Sequence, residues 1–165
     1  MAGMLEDLIN ILKKQNTHHE QLLGLSLEKK DVIIKNDLEQ LQKITSLENI
    51  LISRNQKLEK NRLELMNDIA NVLNLNAESL TVQALAEHIH NQPEAAELTR
   101  AGDAARETLR HLRDVNDANK LLIDNSLDYI DYTINVIRSV TLAPTVVDAH
   151  GQEIDPPHGF FDARQ

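Results

Sequence analysis

The stretch RDVNDANKLLIDNSLDYIDYTINVI, residues 113–137, decides the fold of this 165-residue chain. It contains no proline, and its apolar residues recur every three or four positions, which is the spacing of one face of an α-helix. The same face carries Asn116, Asn119 and Ser126, where a helical bundle normally has leucine. A polar residue in such a position stabilises only the helix register in which its side chain forms a hydrogen bond. The stretch therefore predicts a long packed helix, with two asparagines that are either paired inside a bundle or in contact with another protein.

The composition also favours an all-α fold. Hydrophobic residues make up 41% of the chain but aromatic residues only 2%, so the apolar side chains are almost all Leu, Ile, Val and Ala. Such side chains favour helix-on-helix packing over a β-sandwich or barrel. The length fits one domain, and the absence of cysteine excludes a disulfide scaffold or a Cys-based zinc site.

Charge and hydropathy restrict the partners and the location. The formal net charge of −9 repels phosphate backbones and anionic lipid surfaces, so we expect no binding to nucleic acid. No apolar run approaches the roughly 20 residues that cross a bilayer, and the N-terminus has acidic residues where a signal peptide has basic ones. We therefore expect a cytoplasmic protein without membrane insertion.

Hydrophobic spacing and capping residues predict three long helices and one short connector helix. Asp37, with Gln40 three residues later, resembles a capping box and separates the first two helices. Pro93 fits the first position of the last helix, where its missing N–H does no harm. In the second helix, a strict seven-residue repeat favours one face turned continuously toward a partner helix. This repeat consists of Ile44, Leu51, Leu58, Leu65 and Val72. The four predicted helices cover about residues 3–35, 37–74, 82–90 and 93–140.

These elements predict an elongated antiparallel bundle in residues 1–140, followed by a flexible C-terminal tail in residues 141–165. In the last helix, the small residues Gly102 and Ala105 predict a close helix approach. In the tail, Phe160 and Phe161 are either a short recognition motif or a clamp over the bundle's own apolar end.

The last helix is predicted to extend beyond its neighbours. At about 1.5 Å per residue it would be roughly 72 Å long, against roughly 57 Å for the second helix. Its surplus C-terminal end carries an apolar stripe, which is either a docking site for another protein or covered by the first helix or the tail. The predicted partner-binding residues are Asn116, Asn119, Ile123, Tyr129, Ile130, Tyr132, Ile134, Ile137 and Val140.

Catalytic and metal-binding patterns are weak. Glu87 and His90 have the Glu-x-x-His spacing of carboxylate metal bundles, but a di-metal site needs this motif on two helices. Zinc-protease, phosphate-loop and dinucleotide motifs are absent from the sequence. We therefore predict no cofactor, no metal and no enzymatic activity. A structural coiled-coil adaptor or spacer is the main alternative to a binding protein, and a degenerate metal bundle enzyme is the next.

Four stretches resemble one protein family, the FlgN-type flagellar export chaperones. They occur in the family's order, and with the helix order they extend the resemblance over nearly the whole chain. The stretches are VIIKNDLEQLQKIT (32–45), LEKNR (58–62), LRDVNDANKLL (112–122) and DAHGQ (148–152).

The resemblance implies a chaperone, not an enzyme. A helical monomer with at most weak self-association would distinguish it from a spacer, which should self-associate tightly. The chaperone would bind the C-terminal helical segments of the hook-associated proteins of the hook–filament junction, keep them unaggregated and deliver them to the type III export apparatus. The export ATPase and gate components would be later partners. Family members often have a tyrosine before the tail glycine that is associated with docking on the gate. This chain has Thr145, Val146 and Val147 before Gly151 instead.

Overall fold

The computed structural model describes residues 2–141, with side chains described for residues 2–138. Its four helices are α1 (Ala2–Ile34), α2 (Leu38–Leu73), α3 (Val82–His88) and α4 (Glu94–Thr141). This part of the chain contains no β-strand, so the predicted all-α fold is confirmed for it. The predicted tail beyond Thr141, with its two phenylalanines, lies outside the described residues.

The chain divides into two compact units, Met1–Asp124 and Asn125–Gln165. The first unit contains α1, α2, α3 and the part of α4 that ends at Asp124. In the second unit, the described structure is the remainder of α4.

The turn between α1 and α2 is fixed by two polar residues. Asn36 has a φ of 56°, a left-handed conformation that Asn tolerates better than most residues. Asp37 then caps α2 as predicted, because its carboxylate accepts a hydrogen bond of 3.0 Å from the Gln40 backbone N–H. A second left-handed asparagine, Asn74, ends α2. The short turn places α2 beside α1.

Side-chain pairs show the helix directions inside the first unit. Gln15 bonds to Glu59, and Ser26, further along α1, bonds to Glu48, which lies earlier in α2. The two helices are therefore antiparallel. Ser26 also bonds to Asn116 of α4, whereas Lys13, earlier in α1, pairs with Glu97. This part of α4 consequently runs in the same direction as α1.

The main core lies where the start of α1, the end of α2, α3 and the start of α4 meet. Leu8, Ile69 and Leu98 have no exposed surface there. At Gly102 the helices approach closely, because an added Cβ atom would lie 3.2 Å from Val82 Cγ1. The core cluster consists of Leu5, Leu8, Ile9, Leu12, Met66, Ile69, Leu85, Ala86, Ile89, Ala95, Leu98 and Ala101. A smaller cluster of Leu22, Leu51 and Leu112 packs further along the three long helices.

The seven-residue repeat predicted for α2 does not hold along the whole helix. Ile44 and Leu51 are buried, but Val72 is 58% exposed, and Met66 and Ile69 are buried in its place. A straight helix drifts by about 20° per seven residues from a perfect repeat, so four repeats turn a residue well away from the core. The predicted continuous face is therefore wrong at the C-terminal end of α2.

Candidate functional site: a polar groove and an exposed helix end

A groove of about 400 Å³ opens in the first unit where α1, α2 and α4 lie side by side. Its apolar base is formed by the buried side chains of Leu22 and Leu112, while Ile52 and Ile123 are more exposed. We call this space the central groove. Its full lining consists of Leu22, Ser26, Lys29, Glu48, Ile52, Leu112, Asn116, Asn119, Lys120 and Ile123.

Ser26 connects the three helices at the polar side of the groove. Its hydroxyl donates to Asn116 Oδ1 at 2.9 Å and lies 3.4 Å from Glu48 Oε1. Its backbone oxygen accepts a hydrogen bond of 2.7 Å from Asn119 Nδ2. Glu48 is buried and forms an ion pair with Lys29, so the ammonium group of Lys29 neutralises the buried carboxylate. The network links α1 to both neighbouring helices.

Asn119 has a polar atom that the fold leaves unpaired. The residue is only 3% exposed, and its Oδ1 atom is buried without a hydrogen-bond partner. Its orientation is fixed, because the backbone oxygen of Ser26 only accepts and therefore requires the Nδ2 group of Asn119 on its side. The unpaired atom is thus an acceptor. Buried acceptors are rarely left without a donor in folded proteins.

The groove continues along α1 toward Leu12, where a second cavity of about 570 Å³ shares Leu22, Ile52 and Leu112 with the first. Its polar wall holds Glu59 and Arg62. Arg62 donates two hydrogen bonds to Glu59, of 2.7 and 2.8 Å. These bonds are the main reason that the pKa of Glu59 is lowered and that of Arg62 is raised.

His19 lies in the same wall. Burial lowers the pKa of its imidazole, the nearby His18 lowers it further, and the carboxylate of Glu59 acts in the opposite direction. Its Nδ1 atom is buried without a hydrogen-bond partner. The imidazole is therefore favoured in its neutral form inside the fold.

Beyond Asp124, α4 has exposed apolar side chains on one side, which we call the isoleucine stripe. It consists of Leu127, Ile130, Ile134 and Ile137, which follow helical spacing. Ile130 is 50% exposed and Ile137 is 57% exposed. An apolar row of this kind is the surface that amphipathic helices bind.

A second apolar face on this part of α4 contains Tyr129, Tyr132 and Val136, all of them exposed. At about 100° per residue, this face lies roughly 150° around the helix from the isoleucine stripe. The predicted partner-binding residues are therefore on two sides of the helix. One bound helix cannot cover both.

The structure separates the predicted partner-binding residues into two groups. Asn116, Asn119 and Ile123 all line the central groove. Tyr129, Ile130, Tyr132, Ile134 and Ile137 lie on the part of α4 that belongs to the second unit, and all are exposed. The side chain of Val140 lies outside the described residues.

The sequence analysis missed the α1 and α2 members of the groove. Ser26, Lys29, Glu48 and Ile52 have no unusual sequence context, because they depend on contacts between helices far apart in the chain. Lys120 could have been found, because it lies beside Asn119 in the quoted stretch.

Neither a metal centre nor a membrane span was found in the described chain. Residues 2–138 contain no group of three or more His, Asp or Glu side chains that could hold a metal ion. The four helices of residues 2–141 do not combine the length and the apolar character that a membrane span requires.

The fold and its surfaces define the class of the protein first: an all-helical bundle with exposed apolar and polar surfaces suited to binding other chains. Comparison with family models then gives the family, because the model described as FlgN protein matches residues 1–153. The chain belongs to the FlgN family, whose members are flagellar export chaperones. The curated proteins and the solved structures that were compared contain no match to this chain.

Proposed function

We propose that this protein is a cytoplasmic flagellar export chaperone that binds the C-terminal helical segments of the hook-associated proteins. It keeps these segments unaggregated and delivers them to the type III export apparatus, where the export ATPase and gate components are its later partners. Family membership supports the chaperone role. The scaffold for this function is the elongated antiparallel bundle of three long helices predicted from the sequence.

The observation that carries the proposal is the exposure of the isoleucine stripe. Ile130, Ile134 and Ile137 are all exposed on the described surface. An amphipathic client helix that lays its apolar face on the stripe removes these side chains from water, at about 25 cal/mol for each Å² of apolar surface. Client segments rich in apolar residues are also those that aggregate when unprotected.

The test replaces two stripe residues. Ile134→Asp with Ile137→Asp adds two charges to the stripe, so we expect helicity to be retained and binding of a hook-associated protein to be lost. Both side chains are exposed, so the fold does not depend on burying them. Isothermal titration calorimetry against the full-length client measures binding, and circular dichroism measures helicity.

The matched control is Asn125→Asp with Asn135→Asp, which adds the same charge at exposed polar positions of the same segment. This control should bind like the unmodified chain. A client without its C-terminal segment should bind neither form. Unchanged affinity in the isoleucine variant would place the client elsewhere, whereas tight self-association with no client complex would favour a structural spacer.

A further inference from the structure

The central groove has the features of a second binding site, separate from the isoleucine stripe. It lies wholly within the first unit, and the nearly buried Asn119 lines it. The Oδ1 atom of Asn119 has no donor in the described chain. A buried acceptor without a donor lowers the stability of a protein, and a ligand N–H or O–H group that reaches this atom from the groove would supply the missing hydrogen bond.

The charges of the groove indicate what else the ligand carries. Lys29 is neutralised by Glu48, whereas the exposed Lys120 forms no ion pair among the residues whose side chains are described. Lys120 therefore places an uncompensated positive charge in the groove lining, although the chain as a whole has a net charge of −9. A carboxylate on the ligand would be attracted to it.

The dimensions fit a helix. From Leu12 to Lys29, α1 contributes to the lining of both cavities, which share Leu22, Ile52 and Leu112. At about 1.5 Å per residue this distance is roughly 25 Å, which equals about five turns of a bound helix. The apolar side chains along it, Leu22, Ile52 and Leu112, suit the apolar face of an amphipathic helix.

We propose that the central groove binds a second amphipathic helix of the client. This helix carries an amide or hydroxyl donor opposite Asn119 and an acidic residue opposite Lys120. The inference rests on the proposed chaperone function. A second copy of this chain is a poorer occupant, because two molecules of charge −9 repel each other.

The test measures the affinity of the full chain for the C-terminal region of a hook-associated protein by titration calorimetry. Asn119→Leu removes the acceptor and Lys120→Glu reverses the charge, so each should weaken binding about tenfold or more. Lys57→Glu is the matched control, because Lys57 is exposed on α2 and lines neither cavity. This control should retain the affinity of the unmodified chain.

A second measurement keeps the test valid if Asn119→Leu misfolds. In the unmodified chain, the side-chain carboxamide signals of Asn119 in NMR spectra should shift when the client region binds. Unmodified affinity in both groove variants, or carboxamide signals that do not move, would overturn the groove site while leaving the chaperone function intact. Failure of the unmodified chain to bind any client region would refute the proposed function itself. Loss of self-association in the groove variants, with client binding retained, would overturn the inference in favour of a second copy.

Discussion

Replacing Asn119 by leucine should make the protein more stable, although the amide forms a hydrogen bond. Asn119 donates to the backbone oxygen of Ser26, which lies inside α1 and also accepts the bond of its own helix. Losing the side-chain bond therefore costs about 0.5–1.5 kcal/mol and leaves no orphaned group. The substitution also removes the unpaired Oδ1 atom, whose burial costs about 1–3 kcal/mol.

The balance of these two effects is a gain of about 1 kcal/mol in the free energy of unfolding. A change of this size raises the melting temperature of a protein of this length by roughly 2–4 °C. Urea unfolding followed by circular dichroism measures the free energy, and thermal unfolding measures the temperature. Asn67→Leu is the control, because Asn67 is exposed on α2 and lines neither cavity, so its replacement should change stability by less than about 0.5 kcal/mol.

A loss of more than about 1 kcal/mol in the Asn119 variant would refute the reasoning. It would mean that the Oδ1 atom is satisfied in solution, by ordered water or by another side chain, and that the amide serves stability alone. A gain in stability combined with weaker client binding would mean instead that Asn119 serves binding. That combination is typical of a residue kept for function at a cost in stability.

Two further predictions concern the core and the pH dependence. Leu98→Ala should lower the free energy of unfolding in the urea assay by about 2–5 kcal/mol, because it leaves a cavity in the main core. The control Leu121→Ala, on the exposed surface, should change it by less than about 0.5 kcal/mol. Because the pKa of His19 is lowered in the folded state, the unfolded chain protonates this imidazole at a higher pH than the folded chain does. The contribution of neutral His19 to the free energy of unfolding is therefore complete above about pH 6.5 and is lost as the pH falls through the pKa of His19 in the folded state. Urea unfolding measured from pH 8 to 5 should show this loss of stability. His19→Gln should reduce the loss, and the exposed control His111→Gln should leave it unchanged. An equal dependence of the free energy of unfolding on pH in both variants would contradict the assignment to His19.

The helices could be predicted from the sequence because their ends depend on local chemistry. Asp37 caps α2 through a bond to a backbone group three residues away, which a single sequence shows directly. The close approach predicted at Gly102 is found against Val82 of the short helix α3, whereas Ala105, predicted with it, lines the second cavity. Such features need no knowledge of the partner helix.

The groove could not be predicted in this way. Ser26 and Glu48 look like ordinary surface residues until α1, α2 and α4 are placed side by side, because their bonds join positions far apart in the chain. Only the α4 side of the site was found, through the unusual asparagines. Val72 shows a different limit, since a seven-residue repeat in the sequence differs slightly from the period of a straight helix.

The separation of Tyr129 and Tyr132 from Ile130 and Ile134 follows from helical spacing alone. Two faces roughly 150° apart around a helix cannot both contact one bound helix, whatever their hydrophobicity. The predicted partner-binding set therefore combined two surfaces.

The uneven distribution of the core has a consequence for how the first unit opens. In the described chain, the main core cluster has twelve buried residues, Leu8 and Leu98 among them, whereas the smaller cluster has three, including Leu22. Backbone amides near the larger cluster should exchange with deuterium only on global unfolding, while those near Ser26 should exchange through smaller local openings. We therefore expect the groove to open before the main core does, so that a ligand helix enters without disturbing the larger cluster.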